Sequence, residues 1–325
     1  MDEEYYAYAE GSVVNSRGMQ LFTCSWSPKA AASRAVVCLC HGYAVECSVT
    51  MRGTAERLAR EGYAVYGLDY EGHGRSDGLP GYVPDLDAVV RDCDAFFSSV
   101  AASFPGRRFL LGESMGGAVA LLLHRARPDY WSGAILVAPM CKIAEEMRPH
   151  PVVVSVLKAM TRVIPTWPVV PTSDVIELAY RTQTKRDEIR RNRLCYKGRP
   201  RLKTAYELLR VSLHLESTVL SQVRLPLLIL HGADDKVTDP SVSELLYRTS
   251  PSQDKTFNLY PGMWHALTSG ELPDNMHAVF QDIISWLNHR STPASSSDVD
   301  ADAGKQPSRV LSLEAEQKAK HDAKH

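Results

Sequence analysis

Gly112-Glu113-Ser114-Met115-Gly116 sets one hydroxyl between glycines, directly after the apolar run RRFLLGES and directly before the run MGGAVALLLH. A G-x-S-x-G between a strand and a helix thrusts its serine oxygen out of a tight turn, because the flanking positions tolerate almost no side chain. At such a helix start the backbone N–H of Met115 points at any negative charge developing beside Ser114. A serine placed in this way can attack an acyl carbon, but a hydroxyl near its own pKa is a poor nucleophile and needs a base. Of the eleven histidines, His265 in KTFNLYPGMWHAL is the best placed, in a loop beyond the last strand. His321 and His325 fall in a polar tail, His289 near its start, His277 on a surface helix, and His150 and His214 in an inserted segment. His231, within LILHG, reads as a strand-end structural residue, and His73, in the glycine turn EGHGRSDG, as at most a support for the site.

A carboxylate must then orient the imidazole and stabilise its cation. LLILHGADDKVTDP offers Asp234, Asp235 and Asp239 directly after a buried strand. Asp239 precedes Pro240, which suits a helix N-cap followed by proline at the first helical position. The chain order of serine, aspartate, histidine is the one expected for α/β-hydrolases. His41-Gly42 closes an earlier strand in CLCHGYAVECS, and the loop after it is expected to supply a second oxyanion donor, the backbone N–H of Tyr43.

These residues need a scaffold that brings strand ends together. RAVVCLCHG, YAVYGLDYEGHG, RRFLLGES, SGAILVAP, LPLLILHG and KTFNLYPG are short, uniformly apolar runs closed by Gly or Pro, and helical patterns separate most of them. Such runs suit strands buried on both faces, so the expectation is a mostly parallel sheet with helices on both faces and chemistry at the carboxyl ends. VVNSRGMQLFTCSW precedes them and reads as a β-hairpin. Residues 140–222 break the rhythm with helices and prolines, and are expected to form a cap over the strand ends. The expected organisation is core at 1–139, cap at 140–222, core again at 223–290, and a disordered tail at 291–325, whose composition offers too little apolar surface to fold.

With 37 basic and 38 acidic residues the net charge is -1, which gives no global field for nucleic acid. Seven cysteines without C-x-x-C pairs read as reduced thiols, not as disulfides or a zinc site. The N-terminus lacks the basic and apolar regions of a secretory signal, and no apolar run reaches the length of a membrane span. The expected location is cytoplasmic, or at most peripheral on a membrane through the cap. Two features bear on such a contact. PVVVSVLKAMTRVIP is apolar except for a stripe of Ser155, Lys158, Thr161 and Arg162, as befits a core helix or a surface element with an apolar face, and KRDEIRRNRLCYKGRPRLK concentrates positive charge, either as a solvated helix and loop or as an attraction to anionic lipid.

The ordered set HGY, LDYEGHGRSDG, GESMGGAVALLLH, HGADDKVTDP and YPGMWH resembles plant monoacylglycerol lipase-like serine hydrolases, the group that includes caffeoylshikimate esterases. The resemblance spans roughly residues 5–290. It implies an α/β-hydrolase fold with an inserted helical cap, and it makes the fifth residue of HG-x-x-D-x-V, Asp235, the catalytic acid. It maps the oxyanion donors onto Tyr43 and Met115, and suggests Tyr196 in the cap as a glycerol-side contact. Glu46 stands one place later than the family's acidic residue after H-G, as a candidate contact to a polar head group.

The resulting expectation is hydrolysis of a carboxylic ester by Ser114, His265 and Asp235, with no metal or organic cofactor. The apolar helix favours a lipid-like substrate, a monoacylglycerol or lysophospholipid, over a caffeoylshikimate-type phenolic ester. Acyl transfer to an alcohol is a variant, but His124-x-x-x-x-Asp129 adds little to it, because that pair falls at the far end of the elbow helix. A non-catalytic binder on the same fold would be expected to have lost a triad member. Haloalkane dehalogenase and epoxide hydrolase chemistry would need a carboxylate where Ser114 stands.

Overall fold

The computed structural model describes residues 5–29, 32–141, 150–168, 170 and 173–291. Eight strands form one sheet: β1 (Tyr6–Val14), β2 (Gln20–Pro28), β3 (Ala35–Cys40), β4 (Ala64–Leu68), β5 (Arg107–Glu113), β6 (Gly133–Val137), β7 (Leu227–Gly232) and β8 (Lys255–Tyr260). Their spatial order is β1-β2-β4-β3-β5-β6-β7-β8. The first two make the antiparallel hairpin expected from the sequence, β2 runs antiparallel to β4, and every pairing from β4 to β8 is parallel. The hairpin reaches back to Tyr6, further than its turn signal alone suggested.

The apolar runs become strands because both faces are covered. In β3, β6 and β7 every residue is buried. Helices α1 (Arg52–Arg60) and α9 (Pro273–Ser291) pack on one face, where Trp26, Tyr63, Phe109 and Trp286 form the bulk of the core. On the other face lie α2 (Leu86–Ala102), α3 (Met115–Ala126) and α8 (Pro240–Thr249), with Phe97, Val119, Leu123 and Leu246 facing the sheet. Asp239 caps α8 by accepting from Ser241 N at 2.8 Å, with Pro240 next, as its sequence context predicts. All seven cysteines are buried and free.

Between β6 and β7 the described chain is helical: α4 (Pro151–Met160), α5 (Val175–Ala179), α6 (Gln183–Arg191) and α7 (Leu202–His214). Helix α4 is a surface element. Val152, Val153, Val156 and Met160 are exposed along it, followed by Val163 and Trp167. Part of the basic stretch after it, in α6, is paired within the insertion: Arg186 to Glu177, Arg190 to Asp174 and Glu177, and Lys185 to Glu188. The expected tail lies, from residue 292 on, outside the described residues. No helix among the described residues is long and apolar enough to cross a membrane.

Candidate active site

Strand β5 sits centrally, between β3 and β6, and delivers Ser114 at its carboxyl end. Ser114 has φ 54° and ψ -119°, a left-handed backbone held in place by Ser114 N donating to Val137 O and Ser114 O accepting from Gly117 N and Met140 N. The neighbouring glycines are required by close approach. A Cβ on Gly112 would lie 2.4 Å from Gly116 O, and one on Gly116 would lie 1.8 Å from Cys40 O. Met115 opens α3, so its N–H has no intrahelical acceptor.

Asp235 follows β7 and His265 follows β8, so parallel pairing carries both to the same edge as Ser114. His265 Nδ1 donates to Asp235 Oδ2 at 2.7 Å, which leaves Nε2 as the acceptor a nucleophile's proton requires. Asp235 Oδ1 accepts from Val237 N at 2.7 Å and Thr238 N at 3.0 Å. Thr238 Oγ1 lies 3.0 Å from Oδ2 and 3.2 Å from His265 Nδ1. Burial alone would raise the Asp235 pKa, but the charge of His265 and the hydrogen bonds from His231 and His265 hold it well below the usual carboxylate range. Among the described residues no hydrogen bond joins Ser114 Oγ to His265 Nε2, and neither atom bonds another side chain. Hydrogen bonds of this kind commonly tighten only once substrate is present.

Gly42 places the first loop against the nucleophile: a Cβ there would lie 3.4 Å from Ser114 Cβ and 3.5 Å from Glu113 O. The Tyr43 backbone therefore runs beside Ser114, while its ring turns away and its hydroxyl donates to Gly81 O at 2.9 Å. His41 is fully buried beneath this loop, its Nδ1 donating to Gly42 O and its Nε2 accepting from Tyr70 N at 3.0 Å. Burial pushes its pKa well below the ordinary value, so it is a neutral strut.

Glu46 departs from expectation. It is completely buried, and its two oxygens accept from Ser48 Oγ, Val49 N, Thr50 N, Thr50 Oγ1 and Asn192 Nδ2. Five donors exhaust a carboxylate, so Glu46 fastens the insertion to the core and has no capacity left for a head group. Tyr196 is placed by the backbone and by its own loop. Its N donates to Ala44 O and its hydroxyl to Arg199 O, both at 2.9 Å. Its ring lies over Gly81, in the wall of a cavity of about 380 Å³ that His73, Arg193 and Lys197 help to line. None of Ser114, Asp235 and His265 lines that cavity.

Residues 31–272 match the family model described as serine aminopeptidase, S33. The chain belongs to this hydrolase family. A relative, the caffeoylshikimate esterase of Arabidopsis thaliana, is 34% identical over 300 residues, covering 89% of this chain and 90% of that protein. The monoglyceride lipase of Homo sapiens is 30% identical over 283 residues, covering 87% and 91%. Among solved structures, a soluble variant of the Saccharomyces cerevisiae monoglyceride lipase in complex with a substrate analogue superposes with a TM-score of 0.76 at 22% identity, covering 87% of this chain and 96% of that one. That likeness carries the α/β-hydrolase fold.

For this S33-family chain, several residues of the site were hidden in the sequence. His231, read there as a strand-end structural residue, puts Nε2 3.1 Å from Asp235 Oδ2, so the carboxylate lies between two imidazoles. Its Nδ1 pairs with Ser243 Oγ at 2.7 Å. The signal was present in HGADD, where a histidine stands four residues before the acid, but a spacing of four at a strand end does not reveal that the chain doubles back. The insertion also grips the histidine loop: Ala266 N donates to Ala179 O, and Arg181 N and Thr182 N donate to Gly270 O. Among the described residues no group of three or more His, Cys, Asp or Glu side chains is placed to hold a metal ion.

Proposed function

We propose that the protein hydrolyses carboxylic esters by a Ser114–His265–Asp235 triad, with the N–H groups of Tyr43 and Met115 as oxyanion donors. Ser114 Oγ attacks the carbonyl carbon as His265 Nε2 takes its proton, and Asp235 stabilises the imidazolium. The collapsing intermediate expels the alcohol, protonated by His265, and water repeats the sequence on the acyl-enzyme. The observation that carries this reading is the 2.7 Å His265 Nδ1 to Asp235 Oδ2 hydrogen bond at the same sheet edge as a serine held at φ 54°. Ester hydrolysis is also what the names of the relatives describe.

The substrate class we favour is a monoacylglycerol or lysophospholipid, with residues 140–222 acting as a cap that meets a lipid surface through the exposed apolar residues of α4. A phenolic ester is the second reading, favoured by the 34% identical caffeoylshikimate esterase. A fluorophosphonate probe should label the protein at Ser114, with labelling abolished in Ser114→Ala and strongly reduced in His265→Ala. Absence of labelling in the folded protein would falsify the triad. Parallel assays on monooleoylglycerol and caffeoylshikimate then rank the substrates, and a strong preference for the phenolic ester overturns the lipid assignment.

A further inference from the structure

The triad leaves one carboxylate beside it without a role. Glu113, the last residue of β5, immediately precedes Ser114. Its Oε1 accepts from Thr268 Oγ1 at 2.7 Å, and Thr268, three residues after His265, is almost wholly buried. This contact joins the nucleophile elbow directly to the loop that carries the base. The same loop is also gripped by the insertion through Ala179, Arg181 and Thr182. We propose that Glu113 is a positioning residue for the hydrolysis: clasped by Thr268, it fixes the His265 loop against the elbow and adds a second negative charge beside the imidazolium.

The groups around it fit that role. His265 and Thr268 face Glu113 from the histidine loop, Lys185 from α6, and Tyr180 from α5. Burial raises the Glu113 carboxyl above its ordinary value, and the Thr268 hydrogen bond and the charges of His265 and Lys185 offset part of that rise. The charge that forms on His265 during acylation is thus the one that best stabilises an ionised Glu113. The coupling is reciprocal: an ionised Glu113 favours the imidazolium. Asp235 acts at Nδ1, and Glu113 acts from the elbow side. Two tethers on a short loop also restrict the distance between His265 Nε2 and Ser114 Oγ, where a misplacement of 1 Å costs about a hundredfold in rate.

This inference rests on the triad reading, so fluorophosphonate labelling of the wild type and of Ser114→Ala is the first control, and its failure counts against the triad. The test proper compares Glu113→Gln, Thr268→Val and Thr268→Ser on a soluble short-chain ester. Glu113→Gln keeps an acceptor for Thr268 but removes the charge. It is expected to lower kcat about tenfold with little change in KM, and to move the acid limb of kcat/KM to lower pH, because the imidazolium loses a favourable neighbour. Thr268→Val is expected to lower kcat and, because the Glu113 carboxyl rises once its hydrogen bond is lost, to move that limb to lower pH as well, and Thr268→Ser to restore both. A merely structural Glu113 would alter melting temperature while leaving the pH profile in place. Overturning results are a Glu113→Gln enzyme with unchanged kcat and pH profile, or a Thr268→Ser enzyme as slow as Thr268→Val.

Discussion

Asp235 shows what a single residue is asked to do at this site. Its oxygens meet Val237 N, Thr238 N, Thr238 Oγ1, His231 Nε2 and His265 Nδ1, so it is held in one orientation before any substrate arrives. Because its pKa is depressed, its charge contributes stability above the unfolded-state value near about 4 and is lost only as pH falls through the lower native value. Asp235 therefore keeps its charge at mildly acidic pH. His231→Gln removes one donor and loosens the carboxylate, and kcat is expected to fall tenfold or more at unchanged KM, as small misplacements of a base cost on the order of a hundredfold. A variant with wild-type kcat would show that the backbone amides and Thr238 suffice. At this scale the sequence was readable wherever a motif carries its own geometry. Ser114 is legible from G-x-S-x-G, His265 from its place after the last strand, and Asp239 from the proline that follows it. Glu46 was not legible, because its five donors come from a turn and from Asn192, 146 residues away, and no local pattern encodes that convergence.

At the scale of elements, the strands were legible because burial on both faces leaves an uninterrupted apolar run, and the loops were not, because their backbones are set by contacts from elsewhere. The loop after β4 is an example. His73 is buried there, its Nδ1 donating to Glu71 O, and burial lowers its pKa to about 4; His41 next to it is lowered as well. Asp69, in the same loop, is raised to about 7 by burial, against the hydrogen bonds from Cys47 N and Arg75 N. The signs differ. Between about 4 and 6.5 the native imidazoles bind fewer protons than the unfolded ones, so their contribution to stability falls as pH falls; the native Asp69 binds more, and its contribution rises. Each fully buried group accounts for about 1.4 kcal/mol per pH unit inside its window. His73→Phe is expected to flatten the decline in urea stability from pH 6.5 to 4.5 relative to wild type, and Asp69→Asn to steepen it. Parallel declines in all three proteins would mean that these groups are not buried in solution as they are here.

The whole molecule assembles its site by a parallel sheet whose strand ends converge from β5, β7 and β8, and by an insertion that is stapled to those ends through Glu46–Asn192, Tyr196–Ala44 and the Ala179–Ala266 contact. The register of the apolar helix in the insertion could not decide its surroundings in advance, since a stripe at Val152, Val156 and Met160 suits a core and a lipid surface equally. In the structure that stripe faces outward, and Val163, 80% exposed, and Trp167, 56% exposed, extend it. An apolar face with an aromatic residue at its edge is suited to the boundary between lipid headgroups and acyl chains. Pairing of Arg186 and Arg190 in α6 removes part of the positive charge available to lipids, and apolar contact through α4 is tested separately from charge on neutral lipid. Val152→Ser/Val156→Ser/Trp167→Ser is accordingly expected to lose most binding to neutral phosphatidylcholine vesicles in co-sedimentation, and to hydrolyse vesicle-borne monooleoylglycerol at least tenfold more slowly. Its rate on a water-soluble acetate ester should remain within twofold of wild type, because the changed side chains are exposed on the surface of the insertion. Equal losses on both substrates would place the damage in the active site, and undiminished vesicle binding would mean that this face serves some other contact.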